Sequence, residues 1–178
     1  MSNYNTIALN SDSIKKLQIK ETILVLFATI GIQFLIHLIP PYNNTPLGAI
    51  LLPMFFAPLV AVVFFRLHVA LLAGILGPVF NYLITGSPAP EIVSLLTIEL
   101  MVFVFVSSFI LQFKKINIAA APISIILAKL SSWLIALAFP VIGSFTTGFF
   151  IQSLVNAIPG IFILFILNIF LLRLKDKA

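Results

Sequence analysis

Long apolar runs, each divided from the next by a few turn-forming or charged residues, constrain this chain more than any other feature of its sequence. A bilayer requires about 20 predominantly apolar residues per helix, and a helix satisfies its backbone hydrogen bonds without help from water. Hydrophobic residues make up 61% of the 178 residues and charged residues only 8%, whereas about a quarter of an ordinary soluble domain is charged. We therefore predict an all-α integral membrane protein.

Hydropathy and turn residues divide the chain into six predicted transmembrane helices, of which the second and third could instead form one hairpin. Residues 1–21 are mostly polar and are predicted to be a cytoplasmic N-terminal segment, and 173–178 are predicted to be a basic cytoplasmic tail. The first apolar run is too long for a signal peptide and lacks a small-residue cleavage site. The membrane domain, 22–172, contains the predicted spans 22–39, 47–65, 69–85, 92–113, 118–141 and 149–172.

The basic residues predict the orientation of these helices, because Lys and Arg accumulate in cytoplasmic loops. Nine of the ten basic residues fall on one side of the six-helix arrangement, so both termini are predicted to be cytoplasmic in a multi-pass protein of the cell membrane. The net charge of +5 comes from residues spread between the apolar runs, which argues against a nucleic-acid partner. The nine residues are Lys15, Lys16, Lys20, Arg66, Lys114, Lys115, Arg173, Lys175 and Lys177.

Two ionisable residues, Glu99 and Lys129, lie inside predicted spans. At 1.5 Å per residue, Glu99 lies about 12 Å and Lys129 about 16 Å from the outer ends of their helices. Charged side chains are costly in lipid unless they are paired, and they often mark functional sites. The similar depths predict that the two residues can pair in the outer half of the bundle, and a purely structural ion pair is the alternative interpretation.

Other polar or aromatic side chains are predicted to face the same outer-half volume. Trp133 follows Lys129 at i+4, on the same helical face, and Gln152 and Asn156 have the same spacing in the last span. The alternatives are interhelical hydrogen bonds for the amides, including that of Asn81 in the third span, and an interfacial anchor for Trp133. We predict a cavity whose binding residues are Asn81, Glu99, Lys129, Trp133, Gln152 and Asn156.

Sequence motifs for catalysis are missing from the chain. It contains neither G-x-S-x-G nor H-E-x-x-H, and it has no phosphate-binding loop for ATP hydrolysis. It contains no cysteine, which excludes thiolate metal sites and disulfide frameworks. The inner halves of the spans are mostly apolar, whereas a channel would carry polar residues through the full thickness. We therefore expect a binding pocket open to the outside, no enzymatic activity, and no metal or other cofactor.

Three segments of the chain resemble the substrate-binding S components of energy-coupling factor (ECF) vitamin transporters. They read LGAILLPMFFAPLVAVVFF (47–65), AGILGPVFNYLITGSPAP (73–90) and LVNAIPG (154–160). The resemblance covers nearly the whole chain in size, number of spans and orientation. It implies a six-helix protein that captures a scarce micronutrient from outside the cell, and it implies the same binding candidates, from Asn81 in the third helix to Asn156 in the sixth.

The resemblance also implies partner subunits. In that family the S component docks on a membrane-embedded T subunit, which is driven by two cytoplasmic ATPases, and it topples in the membrane to release its cargo. The docking contact on the first helix is commonly A-x-x-x-A, whereas this chain reads LFATIGIQF at 26–34, with small residues at Ala28 and Gly31. These two residues are the predicted partner contacts, and their spacing differs from that of the two alanines in A-x-x-x-A.

The function expected from these features is high-affinity binding and uptake of a small, water-soluble, vitamin-like compound. Trp133 would stack on a ring of the cargo, and Glu99 and Lys129 would bind its polar groups. Two alternatives remain open at this point. One is a secondary carrier coupled to protons through Glu99, and the other is a structural membrane subunit whose polar residues only hold helices together.

Overall fold

The protein folds as a bundle of helices in a computed structural model, which describes residues 3–42, 45–139 and 147–177. Every secondary-structure element assigned within these residues is a helix, which confirms the predicted all-α class. Two of them are short 3₁₀ helices, Pro53–Phe55 and Asn117–Ala119. The α-helices are α1 (Asn3–His37), α2 (Leu47–Leu51), α3 (Phe56–Phe64), α4 (Leu67–Thr85), α5 (Pro90–Ile110), α6 (Ala120–Ala138), α7 (Thr147–Asn156) and α8 (Ile158–Lys175).

Among the described residues, five helical segments are long and apolar enough to cross a membrane, as expected of an integral membrane protein. The segment Pro53–Phe64, within the second predicted span, is apolar but shorter. The count of six spans and the cytoplasmic termini therefore stay predictions. The five segments are Ile19–His37, Leu67–Thr85, Pro90–Ile110, Asn117–Ala138 and Ile158–Lys175.

The first helix runs without a break from the predicted N-terminal segment into the first predicted span. α1 begins at Asn3 and ends at His37. Its first 28 positions, 3–30, contain neither Gly nor Pro, and the helix ends just before Pro40, as helices usually do ahead of proline. The predicted end of the fifth span, 140–141, lies outside the described residues.

The second predicted span, 47–65, is not a single helix. α2 ends at Leu51, and the buried Leu52 adopts the left-handed conformation, with φ 53° and ψ 44°. Pro53 explains the break, because its ring disfavours the α-helical conformation of the residue before it. The chain then continues through a 3₁₀ turn into α3, so the sequence reasoning missed an interruption that Pro53 signals.

The sixth predicted span, 149–172, is divided as well. α7 ends at Asn156 and α8 begins at Ile158. Pro159 lies in the first turn of α8, where it has no N–H to donate to the carbonyl of Val155 and its ring crowds that carbonyl. The segment therefore consists of a short helix followed by one long enough to span a membrane.

The end of α2, at the first interruption, packs against the start of α8, at the second interruption. A Cβ added at Gly160 of α8 would lie 2.7 Å from the carbonyl oxygen of Ile50 and 2.7 Å from the carbonyl carbon of Leu51. Glycine is the residue that permits so close an approach of another backbone. Gly160 therefore holds α8 tightly against the end of α2.

Small residues also bring α4 close to its neighbours. A Cβ at Gly74 would lie 3.3 Å from Leu100 of α5, and a Cβ at Gly77 would lie 3.0 Å from Thr29 of α1. Close packing through glycine is common between membrane helices. α5 also packs against α6, so it is held on two sides at the position where it carries Glu99.

We expect Gly160→Ala to lower the free energy of unfolding by about 1–3 kcal/mol, because the added Cβ must push the backbone of α2 away. Gly31→Ala is the matched control, since nothing lies within 4 Å of a Cβ at Gly31 and alanine favours a helix over glycine by about 1 kcal/mol. Both variants are compared by denaturant-induced unfolding in the same detergent. Equal stability of the two variants would contradict the close crossing of α2 and α8.

Candidate functional site

A buried pair of charged side chains joins α5 to α6. Glu99 of α5 is 8% exposed and Lys129 of α6 is 5% exposed. Lys129 Nζ lies 3.4 Å from Glu99 Oε2, so the pair that the depths of the two residues predict forms in the structure. Pairing makes the burial of both charges less costly, because each ion offsets part of the desolvation cost of the other.

Two serines complete the cluster. The Ser132 hydroxyl of α6 donates to Glu99 Oε1 at 2.8 Å, and Lys129 Nζ donates to Ser153 Oγ of α7 at 3.0 Å. Each carboxylate oxygen of Glu99 therefore has a partner, and Lys129 connects α6 to both α5 and α7. In a low-dielectric interior such a network of hydrogen bonds and charges stabilises its members jointly.

Helical spacing places the α6 members of the cluster on one face. Ser132 follows Lys129 at i+3 and Trp133 follows it at i+4, the separations at which helical side chains are neighbours. The Ser132 hydroxyl also lies 2.9 Å from the carbonyl oxygen of Lys129. Because a hydroxyl has one proton, the carbonyl of Lys129 and the carboxylate of Glu99 share it.

The cluster forms part of the wall of a small cavity. The cavity volume is about 30 Å³, which is room for about one water molecule. It lies where α5 and α7 begin and α6 ends, toward the end of the bundle that is predicted to face outside. The described residues that line it are Leu95, Glu99, Ser132, Trp133, Ala136, Phe149, Phe150 and Ser153. Glu99 is thus exposed to the cavity, and Lys129 supports it without lining the cavity.

Aromatic rings form another part of the wall. Trp133 of α6 and Phe150 of α7 stack with ring centroids 5.1 Å apart and an interplanar angle of 22°. The indole Nε1 of Trp133 is buried and has no hydrogen-bond partner among the described residues. The cavity therefore combines a carboxylate and two hydroxyls with flat apolar surfaces, a combination typical of sites for small molecules.

Three of the six predicted binding residues, Asn81, Gln152 and Asn156, belong neither to the cavity wall nor to the ion pair. The side-chain Nδ2 of the buried Asn81 donates to the carbonyl oxygen of Ser87 at 2.8 Å, so Asn81 stabilises the turn after α4. Gln152 is exposed on α7, and its side chain donates to Asn156 Oδ1 at 2.9 Å. The structure brings together the other three, Glu99, Lys129 and Trp133.

Sequence reasoning leaves three residues of the site out of its candidate set: Ser132, Phe150 and Ser153. Ser132 shares a helical face with Lys129, and this spacing could have identified it as a site residue. On α7, successive residues point about 100° apart, so Ser153 faces the cavity while the adjacent Gln152 is exposed. The spacing of Phe150 and Ser153, at i and i+3, could have marked this face.

The predicted partner contacts lie on an exposed face of α1. Ala28 and Gly31 are both exposed, and a Cβ at Gly31 would meet nothing within 4 Å. Thr29 and Gln33 of the same helix are buried. The exposed face therefore offers small side chains against which another membrane helix could pack, and docking itself stays a prediction.

Comparisons of the chain with protein-family models, with curated proteins and with solved structures found no match. The resemblance to ECF S components therefore stays a prediction from the sequence. The described residues themselves establish an α-helical membrane protein in which a buried ion pair borders a small aromatic-lined cavity.

We expect Lys129→Met to lower the free energy of unfolding by about 3–5 kcal/mol, because it leaves the charge of Glu99 buried and unpaired. The double variant Glu99→Gln/Lys129→Met should lose less than the sum of the two single variants, since it contains neither charge. The measurement is denaturant-induced unfolding of the four proteins in one detergent. Additive losses in the double variant would contradict a direct interaction.

Proposed function

We propose that the protein binds a small, water-soluble micronutrient at this cavity and takes part in its uptake across the bacterial plasma membrane. The observation that carries the proposal is a buried carboxylate, Glu99, that lines an aromatic-walled cavity among membrane-spanning helices. An ionisable residue inside a membrane helix is expensive and by default indicates a functional site. Binding of a polar cargo offers a reason to keep this charge inside an otherwise apolar bundle.

The wall residues suggest what such a cargo looks like. Trp133 and Phe150 offer ring faces to a flat, unsaturated part of a molecule. Glu99 accepts hydrogen bonds, and the hydroxyls of Ser132 and Ser153 can donate or accept them. Because Lys129 neutralises Glu99, a neutral or zwitterionic cargo leaves no uncompensated charge in the site.

The proposed partners come from the resemblance to ECF S components. They are a membrane-embedded T subunit and two cytoplasmic ATPase subunits, which would supply the energy of uptake to a chain without a phosphate-binding loop. The exposed small residues Ala28 and Gly31 of α1 support docking of the T subunit on that face. With both termini in the cytoplasm, the cavity would lie toward the outer surface, where a scarce nutrient is captured.

We expect protein purified in mild detergent from cells grown in rich medium to carry a small molecule in stoichiometric amount. Denaturation releases the compound, and mass spectrometry identifies it. Glu99→Gln should weaken its binding about tenfold or more, because a hydrogen bond to a charged group contributes about 1.5–3 kcal/mol. Ser107→Ala is the control, since Ser107 is a buried polar residue of the same helix that does not line the cavity.

Retention of the compound by Ser107→Ala and its loss from Glu99→Gln would identify both the cargo and the role of the carboxylate. The absence of any compound from the unaltered protein would contradict high-affinity binding. Equal amounts of bound compound in the unaltered protein, Glu99→Gln and Ser107→Ala would contradict a contact between the cargo and Glu99.

A structural role for the ion pair is the second candidate, and the size of the cavity favours it. Both carboxylate oxygens of Glu99 already have protein partners, and a volume of about 30 Å³ holds no micronutrient without movement of a wall. In this case Glu99→Gln and Lys129→Met lower stability, and the purified protein carries no compound. The same preparations therefore distinguish the two candidates.

A further inference from the structure

The cavity is too small for the proposed cargo, so binding requires that one of its walls moves. Its volume is about 30 Å³, whereas sites for small molecules enclose roughly 300–1,000 Å³. The lining residues come from three helices, α5, α6 and α7. The wall that is held by the fewest buried contacts moves at the lowest cost in free energy.

α7 is the wall with the least buried surface. None of the residues in Thr147–Asn156 is buried. By contrast, α5 and α6 contribute many buried residues, among them Leu100 and Phe103 of α5 and Ala121 and Ile125 of α6. Displacing α5 or α6 would open the core of the bundle, whereas displacing α7 would uncover the cavity and the residues of α5 and α6 that line it.

A cargo could replace two of the contacts that tie α7 to the cavity. Phe150 stacks on Trp133, and Ser153 accepts a hydrogen bond from Lys129. A flat ring between Phe150 and Trp133 would keep an aromatic contact on each face. A polar group of the cargo could accept the Lys129 hydrogen bond in place of Ser153.

The junction between α7 and α8 has the features of a hinge. Ala157, between the two helices, keeps α-helical φ and ψ and donates its N–H to the carbonyl of Ser153 at 3.1 Å. The weak point is Pro159, which prevents the hydrogen bond that would otherwise connect residue 159 to the carbonyl of Val155. Beyond the junction, Gly160 packs against the end of α2 and holds α8 in place. α7 can therefore turn about the junction while α8 stays packed.

We propose that α7 is the movable cover of the cavity and that cargo enters between Phe150 and Trp133 when α7 turns about the junction at Ala157. The identity of what enters rests on the proposed function, whereas the movement can be measured without any cargo. Phe150 and Ser153 then act as cargo contacts in addition to covering the site.

Thiol labelling tests the movement, because the chain has no cysteine of its own. Ala136→Cys places a thiol in the cavity wall, where Ala136 is 5% exposed. Ala128→Cys, the same change on the same helix at a core position of 0% exposure, is the matched control. The probe is N-ethylmaleimide, which is neutral and too large for the cavity volume of about 30 Å³. We expect Ala136→Cys in detergent to react much faster than Ala128→Cys.

Pro159→Ala, combined with Ala136→Cys, tests whether labelling depends on movement of α7. Because Pro159 does not line the cavity, this change leaves the surroundings of the thiol as they are and alters only the junction. The alanine restores an N–H at the junction and stiffens it, so labelling should slow several-fold. Ser153→Ala removes the hydrogen bond to Lys129, so labelling should become several-fold faster. Leu95→Cys, on the α5 wall of the cavity, is a second reporter in case Ala136→Cys does not fold.

Labelling of the cavity thiol as slow as that of Ala128→Cys would overturn the movable cover, and so would rates that neither Pro159→Ala nor Ser153→Ala changes. The two proposals fail separately. A mobile α7 in a protein that carries no compound would contradict the proposed function alone. A bound compound together with an immobile α7 would contradict this inference alone.

Discussion

The ion pair between Glu99 and Lys129 is the interaction on which the candidate site depends. It joins α5 to α6 across 3.4 Å, and through Ser153 it also reaches α7. Burying two charges is costly, and the cost is offset only while both partners and their hydrogen bonds stay in place. The charged and hydroxyl side chains that α5 and α6 direct to the cavity are therefore held in one arrangement, which recognition of a small molecule requires.

Interruptions in two apolar segments explain how a tightly packed bundle can contain a weakly held wall. The break at Leu52 lets α2 end beside α8, and Gly160 fixes the contact between them. The break at Ala157 separates this fixed part from α7, which contributes no buried residue. Interrupted helices in membrane transporters commonly accompany binding sites near the interruption, and here α7 supplies Phe150 and Ser153 to the cavity.

The sequence predicts the fold class because the bilayer leaves long apolar runs few alternatives to helices. It also predicts the pairing of Glu99 with Lys129, because a constant rise per residue converts position in a helix into depth. The inward face of α7 was not predictable in the same way, since it depends on where a short helix begins and how it packs. The spacing of Gln152 and Asn156 therefore predicts two binding residues, whereas in the structure their amides bond to each other. Asn81 instead bonds to the turn after α4. The sequence does not predict this bond, because it depends on how the chain reverses direction after the helix.

Titration of the purified protein with individual water-soluble vitamins, followed by the fluorescence of Trp133, tests most directly whether the cavity binds a small molecule. Trp133 is the single tryptophan of the chain and lines the cavity, so its emission reports on this site. Binding beside Glu99 predicts a saturable change in emission with one compound, and Glu99→Gln should weaken or abolish that change. A panel in which no compound alters the emission, or a change that is identical in Glu99→Gln, would contradict binding at this carboxylate.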